Sequence, residues 1–150
     1  MKKYMSFLLA FLILFLASCL DNTNSKDYSE LKKEIEQIET KFQKTLETEG
    51  VARAFYLFAA DNAVIKREND TLIIGNEAIK KYYSKEIYSD AVATWKPDYI
   101  DISDDGTLAY TFGKYKWSFK DSTGIVTNYE GVFHTVWKKM EDGSWKYVWD

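Results

Sequence analysis

Apolar positions fall into three successive regimes along this chain. The first is an unbroken run, Phe7-Leu8-Leu9-Ala10-Phe11-Leu12-Ile13-Leu14-Phe15-Leu16. The second begins after a polar stretch, where Tyr28, Leu31, Ile35, Ile38, Phe42 and Leu46 step by three and four. That spacing lays one apolar stripe along a long amphipathic helix, with Glu30, Lys32, Lys33, Glu34, Glu36 and Lys41 on its other faces. Gly50 is a natural stop. A second short helix is predicted from Val51 to about Ala60, with Val51, Phe55 and Phe58 as its apolar side and Asp61-Asn62 ending it. Ala63 to Lys66 and Thr71 to Ile74 read as a small hairpin around Glu68-Asn69-Asp70. Gly75-Asn76 opens a third helix, carried by Ile79, Tyr82, Tyr83 and Ile87.

From Ala91 onward the third regime takes over. Segments 91–103, 107–120, 125–139 and 144–149 are rich in β-branched and aromatic residues. Asp104-Asp105-Gly106, Asp121 to Gly124 and Glu141-Asp142-Gly143 supply hairpin turns between them. Pro97 predicts an edge position or a bulge in the first of these strands. Helices followed by a long antiparallel meander make an α+β layer arrangement. A strongly curved sheet closed by a long helix leaves an interior space, and ligand pockets form in such mouths.

The opening run has a different meaning. Lys2 and Lys3 precede it, small Ala17 and Ser18 follow it, and Cys19 comes next. This is the layout of a secretory signal. Leu16-Ala17-Ser18-Cys19 resembles the lipobox of bacterial lipoproteins. The resemblance implies thioether lipidation of Cys19, cleavage before it and acylation of the new amino group. The apolar run is shorter than the roughly 20 residues a membrane span needs. Residues 1–18 are therefore expected to be a leader, 19–27 a lipidated cysteine and flexible tether, and 28–150 a single domain. Such a protein would sit in the bacterial cell envelope, held to a membrane by lipid. Cys19 is the only cysteine, so its lipidation would leave no thiol for disulfides, metal sites or catalysis.

Charge narrows the partners. The full chain carries a formal −3, and losing Lys2 and Lys3 with the leader makes it −5. That argues against nucleic acid, whose backbone calls for a basic surface. Five Trp, eleven Tyr and nine Phe fit either a β-rich core or a pocket lined with rings, and composition alone does not separate the two.

Several segments resemble the SnoaL-like and ketosteroid isomerase families of the nuclear transport factor 2-like superfamily. They are Phe58-Ala59-Ala60-Asp61-Asn62-Ala63-Val64, Gly75-Asn76-Glu77-Ala78-Ile79, Ala109 to Tyr115, Gly131 to Lys138 and Asp142-Gly143-Ser144-Trp145-Lys146. The resemblance spans residues 28–150 and points to an uncharacterised branch. It implies a cone-shaped curved antiparallel sheet wrapped by three N-terminal helices, with an apolar pocket and often a homodimer formed through the sheet. It does not imply one function, because this cone hosts isomerases, cyclases, dehydratases, binders and adaptors. Members run a few residues past the last strand, where this chain stops at Asp150.

Carried over position by position, the isomerase roles do not survive. The carboxylate base falls on Arg67, or near it on Glu68. The helix tyrosine falls on Phe42, and the second acid near His134 or Thr135. Two acid–base candidates remain, Asp61 at a helix end and His134, the only histidine. Alternation puts His134 on one face with Val132 and Val136, and Phe133, Thr135 and Trp137 on the other. Bland alternatives weigh more for both: helix capping or a turn for Asp61, and an exposed or hydrogen-bonded strand position for His134. Asp101 to Gly106 mimics the start of a calcium loop, but its twelfth position is Phe112 and not a carboxylate. There is no Cys/His cluster for zinc, no phosphate loop and no nucleophile elbow. No cofactor is expected.

Rings are the remaining candidates. Phe42, Phe58, Tyr110, Trp117 and Trp137 are expected to touch a ligand, and Tyr115, Trp145 and Trp149 are available to stack on one. The reading favoured is an envelope lipoprotein whose cone binds a small, partly apolar molecule. An acid–base enzyme using Asp61 or His134, and a dimerising module with a filled cone, are the alternatives. An open cavity separates the first two from the third.

Overall fold

A computed structural model describes residues 27–150. The expected leader, Cys19 and the expected tether as far as Lys26 lie outside the described residues. The domain opens with α1 (Ser29–Glu49), α2 (Val51–Phe58) and β1 (Ala59–Arg67). A tight turn then leads to β2 (Thr71–Ile74), α3 (Asn76–Tyr83) and a single 3-10 turn at Glu86–Tyr88. Four strands finish the chain: β3 (Val92–Ile102), β4 (Leu108–Lys120), β5 (Val126–Lys139) and β6 (Trp145–Trp149). They form one six-stranded sheet in the order β2-β1-β6-β5-β4-β3. Every pairing is antiparallel except β1 with β6, which run parallel. Among the described residues no helix is long and apolar enough to cross a membrane.

The long helix forms as its stripe predicts, and its buried positions are Ile35, Glu39, Phe42, Thr45 and Leu46. Two boundaries differ from expectation. Ala59 and Ala60 leave the second helix and open β1, because Ala59 pairs with Tyr147 of β6. Sheet pairing overrides alanine's helical propensity there. Asp61 and Asn62 consequently lie within β1 and not at a helix end. The third helix stops at Tyr83, and Ile87 sits in the separate 3-10 turn with 64% of its surface exposed.

The meander strands match their predicted spans to within a residue at each end. Pro97 satisfies both expectations at once, because β3 is an edge strand and its register with β4 shifts between Pro97 and Tyr99. Opposite the shift, Gly113 lets the two backbones close. A Cβ there would stand 2.1 Å from the Lys96 carbonyl oxygen. At the β1–β2 turn Asn69 and Asp70 take left-handed φ values of 55° and 58°, which suits a tight hairpin.

The core lies between α1–α3 and one face of the sheet. Phe42 is its hub: Phe55, Phe58 and Trp95 pack against it with ring centroids 4.9, 4.9 and 5.0 Å away. Trp137, Tyr147, Ile65 and Ile79 are fully buried around it. Phe42 is 3% exposed, so Phe42→Ala should cost about 3–5 kcal/mol of stability in a urea unfolding curve. A midpoint unchanged within error would place the helix face wrongly.

Candidate functional site

The register of the sheet decides which side chains look inward. Thr111 of β4 faces Thr135 of β5, and Ala109 faces Trp137. The Thr111 hydroxyl and the Trp137 indole both reach a carboxylate on α1, so this set faces the helices. Tyr110, Phe112, Val132, His134 and Val136 alternate with them and lie on the opposite, outer face.

Between the inner face, α1 and the 3-10 turn is an open cavity of about 1250 Å³. Phe42, Phe55, Tyr83, Trp95, Tyr115 and Trp117 contribute rings to its wall. Several stack in sequence. Phe55 lies 4.1 Å from Tyr83, Tyr83 runs nearly parallel to Trp117 at 6.3 Å, and Trp117 stacks on Phe119 at 5.6 Å. Tyr115 is given its place by Gly131 opposite, where a Cβ would stand 2.7 Å from the Tyr115 hydroxyl oxygen.

Glu39 is the most unusual group in this wall. It lies one helical turn before Phe42 and is 3% exposed. Its Oε1 accepts hydrogen bonds from Thr111 Oγ1 at 2.7 Å and Trp137 Nε1 at 3.0 Å. Its Oε2 accepts from Trp95 Nε1 at 2.7 Å. Burial pushes the carboxyl above its ordinary range; the three donors pull the other way, and the negative charge of Asp150 adds to the rise.

A second polar cluster closes the cavity at the end of β1. The Arg67 guanidinium makes an ion pair with Asp150 Oδ1 at 2.5 Å and donates from Nε to the Tyr83 hydroxyl at 2.7 Å. Its Nη1 donates to the Lys66 and Asp150 carbonyls. Thr135 Oγ1 donates to the other Asp150 oxygen at 3.1 Å. Burial alone would lower the Arg67 pKa, but Asp150 and the Tyr83 oxygen hold it above its usual value. Burial pushes the Tyr83 hydroxyl well above the usual phenol range. At the rim, Tyr88 donates to Tyr82, which donates to Glu68. Among the described residues no group of three or more His, Cys, Asp or Glu is arranged to hold a metal ion.

The positions read from sequence distribute as follows. Phe42, Arg67, Glu68, Trp117, Tyr115, Thr135 and Trp149 border the cavity. Phe58 and Trp137 are buried in the core behind it. Trp145 is buried at the far side of α1, its indole donating to Glu34 at 2.9 Å. Tyr110 is on the outer face, packed edge-on against His134 at 5.8 Å. His134 borders the cavity through its strand, but its ring lies outward with Val132. Asp61 is exposed and accepts a hydrogen bond from Asn76 Nδ2 at 3.0 Å. Asp61 and His134 are not brought together. Glu39 escaped the sequence reading, although its signal was present. Ile35, Glu39, Phe42 and Leu46 are spaced four, three and four, so a carboxylate occupies a core position of the stripe.

No family model matches the chain, and no curated protein matches it in sequence. Solved structures do match in fold. A protein from Novosphingobium aromaticivorans, described as NTF2-like with a cystatin-like fold, superposes with a TM-score of 0.66 at 15% identity over 88% of each chain. A ketosteroid isomerase-like protein from Erwinia carotovora gives 0.62 at 13% identity, covering 76% of this chain and 88% of that one. The association domain of C. elegans CaMKII gives 0.62 at 16% identity, covering 84% and 96%. The chain has the nuclear transport factor 2-like fold.

The raised Glu39 pKa has a consequence for stability. The folded state holds this proton at a pH where the unfolded chain has released it, so Glu39 weakens folding as pH rises above the ordinary carboxylate range. Glu39→Gln should remove that falling slope, read as the difference between wild-type and variant unfolding free energies across pH 4 to 8. A difference that stays flat, or that rises with pH, would mean the carboxyl is not held protonated.

Proposed function

We propose that this chain is a cell-envelope lipoprotein whose cone holds a small, partly apolar ligand without transforming it. The observation that carries the reading is the open cavity of about 1250 Å³ walled by aromatic rings. Volume of that size suits a small organic molecule, and stacked rings give affinity through apolar area, roughly 25 cal/mol per Å². Two little-exposed charged groups in the wall, Glu39 and Arg67, already have hydrogen-bond partners within the protein. Arg67 spends its donors on Asp150, Tyr83 and two carbonyls, and Glu39 accepts from three neutral donors. General acid–base work needs a group within reach of the substrate proton. Asp61 is exposed beside Asn76 and the His134 ring is on the outer face, so neither supports an enzyme reading.

The outer face supports a second copy as partner. Tyr99, Leu108, Phe112 and Val132 are 44%, 42%, 39% and 70% exposed on it, and Tyr99 stacks on Phe112 at 5.2 Å. An apolar strip on a sheet face is suited to self-association.

Native mass spectrometry of the purified chain tests both parts. The expected spectrum shows a dimer carrying a copurifying small molecule. A bare monomer that also fails to bind a hydrophobic dye contradicts the reading. For the anchor, fatty-acid labelling should mark the wild type and be lost in Cys19→Ser; label that persists in the variant, or is absent from the wild type, overturns lipidation.

A further inference from the structure

Glu39 is a buried carboxylate at the cavity wall with no counter-ion. None of the ion pairs among the described residues includes it. Two of its three partners are indole N–H groups, which donate and never accept. They need an oxygen that accepts, which a carboxyl offers most strongly when ionised. A buried charge is ordinarily paired, and removing one from water without a partner is costly. Arg67, a cation in the cavity wall, is committed to Asp150 and Tyr83. Glu39 Oε2 accepts from Trp95 alone, which leaves that oxygen with acceptor capacity.

Two further features point the same way. Six carboxylates line the cavity against three basic side chains, Lys66, Arg67 and Lys120. Four of the six, Glu68, Glu86, Asp90 and Asp121, are exposed, so a ligand approaching from solvent meets an excess of negative charge. Aromatic π faces attract a cation electrostatically, most strongly those of Trp, and the wall around Glu39 is rich in rings. Trp95 and Phe42 flank the carboxylate, and Tyr115 and Trp117 continue the wall.

We propose that the cavity selects an organic cation, an ammonium group on an apolar body, with Glu39 as its counter-charge. This rests on the reading of the cone as a ligand pocket. The cation supplies the charge that Glu39 lacks, its apolar body packs on the rings, and binding drives the Glu39 proton out to solvent. An anionic ligand would meet an unfavourable field and no free donor from Arg67.

The groups around Glu39 set the sign of the pH dependence. On β3, β4 and β5 it faces Trp95, Thr111 and Trp137, which do not titrate in the working range. Asp150, after β6, is the charged neighbour, and it stays paired with Arg67 of β1 beside Tyr83 of α3. Glu39 is thus the group whose ionisation binding requires, and cation affinity rises with pH.

Trimethylphenylammonium and its neutral isostere tert-butylbenzene test this, followed by tryptophan fluorescence on the full described domain. Wild type should bind the cation at least tenfold more tightly than the isostere at pH 8. That preference should shrink at pH 4.5, and calorimetry in two buffers should show proton release on binding of the cation at pH values where Glu39 is protonated. Glu39→Gln should lose the preference and keep isostere binding. Equal affinities in wild type, or a preference that survives in Glu39→Gln, overturn the cation assignment and leave the pocket standing. Binding of neither probe overturns both. Should Glu39→Gln fail to fold, proton release decides the matter: its absence on binding of the cation overturns the assignment to Glu39.

Discussion

Glu39 pins the long helix to three successive strands at one point. Its two oxygens take hydrogen bonds from Trp95 on β3, Thr111 on β4 and Trp137 on β5. Apolar contact between a helix and a sheet resists sliding by interlocking shape, but carries no direction of its own. Three donors converging on one carboxylate fix its register and rotation. The arrangement is complete, since no buried side-chain polar atom among the described residues lacks a partner. A fully satisfied buried network rigidifies a core, and the same low dielectric makes it expensive to break. Desolvation is the counterweight, and it appears as the raised pKa of Glu39.

The cavity follows from that register. With α1 held over β3–β5, Phe42 comes one turn later and meets Phe55, Phe58 and Trp95. The cone is then filled at its base and open beyond, toward the 3-10 turn and the β4–β5 hairpin. Its other end is closed by the Arg67–Asp150 pair, which ties β1 to the residue after β6. Backbone bonds join the same two segments: Asp150 N–H donates to Val64, and Lys66 N–H donates to Asp150. Both polar clusters thus tie the walls to one another as well as shaping their charge.

Much of the fold is legible along the chain because local periods are strong. The α1 stripe, the four meander strands and their Asp- and Gly-bearing turns depend on neighbours in sequence. What was hidden depends on distant partners. Ala59-Ala60 reads as helix until Tyr147 pairs with it, and the parallel β1–β6 contact has no local signature. Alternation sorted the residues around His134 into two faces but carries no sign. The sign comes from Thr111 and Trp137 meeting Glu39. Glu39 is hard to read from sequence because a charged residue is normally solvent-facing, and only its stripe position marks it as buried. The transferred isomerase positions Phe42, Arg67 and Thr135 do border the cavity, with side chains that carry none of the isomerase roles.

Both the docking of the long helix and the choice of ligand therefore turn on the state of one carboxyl group. Selective carbon-13 labelling of glutamate, with assignment of Glu39 by its loss in Glu39→Gln, allows its carboxyl resonance to be followed through a pH titration. The account predicts a midpoint above the ordinary carboxylate range in the free protein, moving down when trimethylphenylammonium is added. A midpoint at or below the ordinary range in the free protein would contradict it, because the ionised Glu39 would then need no charge from a ligand.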